Sequence, residues 1–241
     1  MTHTLFIDEG NSRIKYWLDA DGEIRLAGHL QELSELQLPE NGMAISQIVV
    51  ATVKCQEALM ALLKSQFGQA TKVTWVSVNT NVLATQYQAP AKLGIDRWLG
   101  VLAARFLGST AAIVVDAGTA ITVDVLQQEQ GHIGGYILPG LAMQQASLAA
   151  HTARVRFPEA DWLAESLGVD TAGAVGHGSV RSLCALVREM VVVGVDGQRP
   201  DVYLTGGNAS DLARFLPEAR IEKNLVQIGM QAILYERGAG T

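Results

Sequence analysis

Residues 5–18 read LFIDEGNSRIKYWL, and residues 113–126 of the same chain, displaced by 108 positions, read IVVDAGTAITVDVL. Each is an apolar run with β-forming residues, then Asp-x-Gly and a small polar residue, then a second strand-like run. Asp8 falls on Asp116, Gly10 on Gly118 and Asn11 on Thr119. Two copies of strand, turn and strand imply a chain built from two halves. One such turn alone reads as a plain β-turn, with Asp capping the backbone and Gly at positive φ. Repetition moves the reading toward phosphate: glycine admits backbone N–H groups close to an anion, and small polar side chains add donors. The aspartate at the strand end can hold a cation directly or through water.

Composition bounds what such turns serve. The 241 residues suffice for one large domain or two smaller ones, and 49% apolar with 17% charged residues fits a folded α/β protein. A net charge of −6 lacks the basic footprint of nucleic-acid binding. Cys55 and Cys184 are read as reduced buried thiols of a cytoplasmic protein. The start of the chain has no secretory signal pattern. The uncharged stretch Gln130–Ala153 is broken by Gly134-Gly135, Pro139-Gly140 and His151, which argues against a membrane span.

Further strand-like runs are QIVVATV (47–53), VTWVSV (73–78) and DVYL (201–204). CQEALMALLKSQF (55–67) and DRWLGVLAARF (96–106) carry helical apolar stripes, and the longest candidate helix runs from about Thr171 to Val193. The Gly-Gly turn in YLTGGNASDLARF (203–215) opens a helix with Asn208 or Ser210 as cap, by form an anion site and equally a tight connection. Gly134-Gly135 is read as a turn and Pro139-Gly140 as a helix start. In YQAPAKLGIDRW (87–98), Asp96 opens a helix, and by itself it reads first as a cap with Arg97 pairing at the surface. The functional reading is a general base beside an anion anchor. His3, His29, His132, His151 and His177 show no metal-ligand spacing and receive no catalytic role. No Walker loop, Rossmann fingerprint or Gly-x-Ser-x-Gly elbow is present.

DEGNSRIK, YQAPAKLGIDRW, VVDAGTAITVD, GGYILPGLAM and TGGNA, in that order across almost the whole chain, resemble type III pantothenate kinase. The resemblance implies an α/β fold of two ribonuclease-H-like, actin-like halves, each a mixed β-sheet flanked by helices, with the nucleotide held in a cleft between them. The halves are expected at 1–108 and 109–241. It further implies ATP-dependent phosphorylation of pantothenate, the first step of coenzyme A biosynthesis. Asp8, Glu9, Gly10, Asn11, Ser12, Arg13, Ile14 and Lys15 match the motif for ATP phosphates, with Asp8 near magnesium. Asp116 matches a monovalent-cation ligand for potassium or ammonium, and Thr119 an ATP contact. Tyr87 and Gly94, Ile95, Asp96 and Arg97 match the pantothenate-binding pattern, with Asp96 as proton acceptor. Thr171 matches a threonine that reaches pantothenate from the second subunit of a homodimer. The ordered combination overturns the cap reading of Asp96. Ser12 keeps the hydroxyl of the more common Thr, Asp170 stands where Asn is frequent, and Glu9 adds a charge that opposes phosphate if it points inward.

Overall fold

The structure, a computed structural model, describes residues 3–10, 13–36, 45–52, 56–152 and 163–238. Asn11, Ser12 and Cys55 lie outside the described residues. The chain forms two compact units. The first takes in residues up to Val82, then Ala89–Ala103 and the chain from Val226 onward. The second comprises Leu83–Gln88 and Ala104–Leu225.

The first unit holds a sheet of β1 (His3–Glu9), β2 (Ile14–Ala20), β3 (Glu23–Leu30), β4 (Ile45–Thr52) and β5 (Lys72–Trp75), in the spatial order β3-β2-β1-β4-β5. The β1, β2 and β3 strands are antiparallel neighbours, whereas β4 and β5 run parallel to β1. Helix α1 (Gln56–Phe67) crosses over between the two parallel strands. Its Leu59 and Leu63 join Leu5 and Ile7 of β1 and Ile48 and Val50 of β4 in one buried cluster. Each such side chain, fully buried, contributes about 1.5–3 kcal/mol. Strand alternation sends Phe6 and Asp8 to the opposite face. Helix α2 (Ile95–Phe106) and helix α6 (Leu225–Gly238) lie against one another, Gly229 resting on the Leu99 backbone.

The second unit holds β6 (Ala111–Ala117), β7 (Ala120–Gln127), β8 (Gly131–Pro139), β9 (Asp201–Thr205) and β10 (Arg220–Ile221), ordered β10-β9-β6-β7-β8. Strand for strand this is the first sheet repeated: β6 pairs antiparallel with β7, β7 with β8, and parallel with β9, which pairs parallel with β10. The irregularities repeat too. A register shift falls between Leu18 and Asp19 on β2 and between Val125 and Leu126 on β7, the extra residue lying on the third strand each time. Helix α3 (Leu141–His151), helix α4 (Thr171–Val193) and the short α5 (Ala209–Leu212) cover one face. Their Leu141, Val180, Leu183, Val187 and Leu212 pack on Ile113, Val115, Val123 and Leu204.

Shifted by 108 positions, the bounds of β1 land on those of β6. The second strands do not follow: Asp8 faces Lys15 but Asp116 faces Thr122, so the second hairpin is one residue shorter and Lys15 corresponds to Thr122. A one-residue slip exchanges the faces of a strand, which is why identity fades after the turn. Gly134-Gly135, expected as a turn, lies inside β8 beside its bulge, and a Cβ on Gly135 would sit 2.7 Å from Asp124 Oδ1. VTWVSV is strand only to Trp75, where pairing with β4 stops.

Candidate active site

In the first unit, Asp8 is the penultimate residue of β1, on the face opposite the α1 cluster, and is 8% exposed. Lys15 on β2 stands directly across from it, so an acid and a base leave the same face side by side. Glu9 alternates to the other face and accepts a hydrogen bond from Thr52 Oγ1 on β4 at 2.6 Å. Gly10 follows with neither a positive φ nor a crowded Cβ position, so the plain-turn explanation for this glycine does not apply.

The segment Tyr87–Arg97 is divided between the units: Tyr87 belongs with the second, Gly94 to Arg97 with the first. Trp98 N–H donates to the Gly94 carbonyl, which makes Gly94 the N-cap of α2 and Asp96 its second residue. Asp96 is therefore not the N-cap that its local sequence first suggests. Its exposed carboxylate accepts from the Arg97 N–H at 2.9 Å and folds over Gly94, where a Cβ would lie 2.7 Å from Asp96 Oδ1. Ile95 is buried and anchors this turn, and the Arg97 side chain is buried rather than lying at the surface.

In the second unit three glycine-bearing segments meet at the turn after β6. Gly118 N–H donates to the Ala120 carbonyl, and Thr119 is exposed at the tip. Gly140, the N-cap of α3, donates its N–H to the Thr119 carbonyl at 3.1 Å, and a Cβ there would run into the same carbonyl. Gly206, with φ +88°, lies against Asp116 Oδ1 and the Ala117 backbone, and Asn208 N–H donates to the Ala117 carbonyl at 3.0 Å. Helix α5 has only four residues and Asn208 makes no side-chain cap, so the dipole site expected there is small. What the Gly-Gly segment supplies is close packing on Asp116. Neither glycine stretch signalled that meeting locally, because strand order alone brings them together.

Asp116 is flanked in register by Thr122 on β7 and Thr205 on β9. Both neighbours carry hydroxyl oxygens, and oxygen donors suit a hard cation. Thr171 is the exposed first residue of α4, and Asp170 is the N-cap, accepting from Gly173 N–H at 2.8 Å. The acid found where Asn is frequent therefore has a local use at a helix N-terminus. Cys184 is a core thiol whose pKa burial pushes up to about 11. His132, given no role from sequence, is fully buried against Asp124, Nε2 to Oδ1 2.7 Å.

Residues 4–192 match the family model of type III pantothenate kinase. A relative of that name from Pseudomonas aeruginosa is 32% identical over 94% of this chain and 96% of its own. Another, from Marinobacter nauticus, is 33% identical over 95% of this chain and 97% of its own. Among solved structures, one from Campylobacter jejuni, named for the Baf family of transcriptional activators, superposes with a TM-score of 0.67 at 25% identity, covering 98% of this chain and 99% of that one. Component A of (R)-2-hydroxyglutaryl-CoA dehydratase from Acidaminococcus fermentans shares the fold, with a TM-score of 0.50 at 16% identity over the whole of both chains. Among the described residues no helix is long and apolar enough to cross a membrane. The chain belongs to the type III pantothenate kinase family, a family of kinases built on two mixed sheets of actin-like form.

Proposed function

We propose that this protein transfers the γ-phosphoryl group of ATP to the terminal primary hydroxyl of pantothenate, opening coenzyme A biosynthesis. The observation that carries the reading is the exposed carboxylate of Asp96, held at the start of α2 by the Arg97 N–H and seated on Gly94. From there Asp96 Oδ accepts the hydroxyl proton as the oxygen attacks the γ-phosphorus in line, the bond from that phosphorus to the β,γ-bridging oxygen breaks, and ADP leaves. Tyr87, Gly94, Ile95 and Arg97 form the pantothenate-binding segment, Arg97 facing an anionic group.

The backbone from Asp8 to Lys15 receives ATP phosphates, with the Lys15 cation adding to the amide donors. Thr119 contributes a hydroxyl contact. Asp8 would hold the magnesium that comes with ATP, whose charge would offset that of the phosphates. Potassium or ammonium belongs to Asp116, a role supported by the oxygens of Thr122 and Thr205 beside it. Most of the rate enhancement comes from positioning and charge stabilisation. We read the chain as two halves, 1–108 and 109–241, working in the cytoplasm as a homodimer in which Thr171 of one copy contacts pantothenate in the other. The exposed N-terminus of α4 supports that reading.

Asp96→Asn is expected to lower kcat by at least about 100-fold while leaving the KM for pantothenate within a few-fold. An ADP-release assay with pantothenate, magnesium and potassium measures both constants. Near-normal turnover in the variant removes Asp96 as the base. Absence of ADP formation by the unaltered protein favours the second reading, a regulator without catalysis, which the name of the Campylobacter relative keeps in play.

A further inference from the structure

Among the described residues of the second unit, Asp124 and His132 are a deeply buried ionisable pair, at 1% and 0% exposure, and nothing in the phosphoryl transfer uses them. Placing an acid and an imidazole where an apolar pair would pack is costly, so their retention calls for a geometric use. Their hydrogen bonds lead outward to one place. His132 Nδ1 lies 2.9 Å from Thr85 Oγ1, and Tyr87 N–H donates to the same Oγ1 at 3.1 Å.

The backbone joins in. His132 N–H donates to the Ala84 carbonyl and Gln86 N–H to the His132 carbonyl, both at 2.9 Å, so the 84–86 segment is tied to His132 from both sides. The imidazole also lies against the Tyr87 ring, centroids 6.2 Å apart and planes inclined by 40°. One assignment of protons gives every donor an acceptor. Tyr87 N–H donates to Thr85 Oγ1, the Thr85 hydroxyl donates to His132 Nδ1, and His132 Nε2–H donates to Asp124 Oδ1. Each bond thus runs from the Tyr87 backbone toward the buried carboxylate.

We infer that His132, oriented by Asp124 and acting through Thr85, is a positioning residue that fixes Tyr87 for the acceptor substrate. The inference rests on the reading of Tyr87 as a pantothenate contact. His132 touches neither substrate in this scheme. It sets the register and tilt of the short segment that carries Tyr87, which lies outside the helices and strands.

The test uses the full chain and steady-state ADP release with ATP and pantothenate varied in turn. Thr85→Val keeps the shape and deletes the hydroxyl, and His132→Asn shortens the link. Each is expected to raise the KM for pantothenate about tenfold, with kcat within about threefold and the KM for ATP unchanged. In a Tyr87→Ala background, whose own KM for pantothenate is raised, Thr85→Val is expected to add nothing further. A merely structural role lowers active fraction and moves both substrates alike. If His132→Asn fails to fold, Thr85→Val decides. The inference is overturned if Tyr87→Ala raises the pantothenate KM while Thr85→Val leaves it within twofold of the unaltered enzyme. If Tyr87→Ala itself leaves that KM unchanged, the reading of Tyr87 as a substrate contact falls, and the inference with it.

Discussion

The two Asp-x-Gly turns occupy the same place in two copies of one sheet, yet their neighbours differ in kind. Asp8 has Lys15 across one strand and Ala51 across the other, whereas Asp116 has Thr122 and Thr205. One step further, Glu9 and Thr52 are joined by a side-chain hydrogen bond. Their counterparts are Ala117 and Gly206, which meet by bare backbone contact. A cation beside the first aspartate favours anionic oxygens, and uncharged hydroxyls beside the second favour a small cation. The two sheets share one scaffold, and in the proposed scheme the differences at matched positions divide the labour between them.

That division is most directly broken by exchanging the two carboxylates for amides. Asp116→Asn is expected to lower the rate by about 100-fold or more at saturating potassium and to flatten the potassium titration. Asp8→Asn is expected to weaken activity through the magnesium and ATP dependence while the potassium response persists. Activity measured against KCl at fixed magnesium and ATP separates them. A potassium response lost in the first variant's counterpart and kept in Asp116→Asn reverses the assignment.

Gly206 tests the packing side of the same contrast. With φ at +88° and its Cβ position occupied by the Ala117 backbone and Asp116 Oδ1, Gly206→Ala is expected to destabilise the fold by about 3 kcal/mol. Thr52→Gly, at the matching position of the first half, is expected to cost about 1 kcal/mol, chiefly the lost hydrogen bond. Urea unfolding of both variants gives the comparison, and equal costs would mean that the two turns are supported alike.

The duplicated scaffold was legible where both halves kept the same local chemistry. The 108-residue shift located β1 and β6 through Asp8 and Asp116, and α4 was readable to its ends because a long amphipathic run begins at the Asp170 cap. Strand β3 was not read, since as an edge strand it alternates exposed and half-buried positions and carries little apolar signal. Strand β8 was hidden by Gly134-Gly135, which looks like a turn until the bulge and the Asp124 carboxylate beneath it are seen. The meeting of Gly140 and Gly206 at the Asp116 turn is a product of strand order, and His132 carries no local signal because Thr85 is distant in the chain and Asp124 meets it only across the β7–β8 pair.

The second half also carries α3 and α4 where the first, among the described residues, has a single 3-10 turn, Leu33–Glu35, between its third and fourth strands. Arg188 of α4 pins the preceding loop through a two-pronged pair with Glu165 at 2.6 and 2.7 Å, and also reaches the Phe215 carbonyl. The Arg188 hydrogen bonds hold the Glu165 pKa below its ordinary value of 4.5. A depressed carboxylate pKa contributes stability above that ordinary value and loses it as pH falls through the lowered one. Because Arg188 is substantially exposed, Glu165→Gln is expected to cost only about 1 kcal/mol at neutral pH. The loss should shrink on the acid side, as urea midpoints from pH 7 to 3 would reveal. A pH-independent difference would show that the pair contributes packing and no charge.

The smallest expected effect belongs to Glu9, the charge that distinguishes the first turn from the second. Its carboxylate accepts from Thr52 Oγ1 on the face of the sheet opposite Asp8, so its negative charge is directed along the sheet toward β4. Glu9→Ala gives the first turn the residue found at Ala117. The expected cost is about 1 kcal/mol or less, below the usual value of a hydrogen bond to a charged group because the site is half exposed. The KM for ATP should change by less than about threefold, since only the backbone of this residue faces the phosphates in the proposed scheme. A tenfold fall in that KM would mean that Glu9 repels the triphosphate, and that the Thr52 contact fails to hold it aside. Thr52→Val sharpens the point: if the hydrogen bond restrains Glu9, deleting the hydroxyl alone should raise the KM for ATP, and the rise should vanish when Glu9 is alanine.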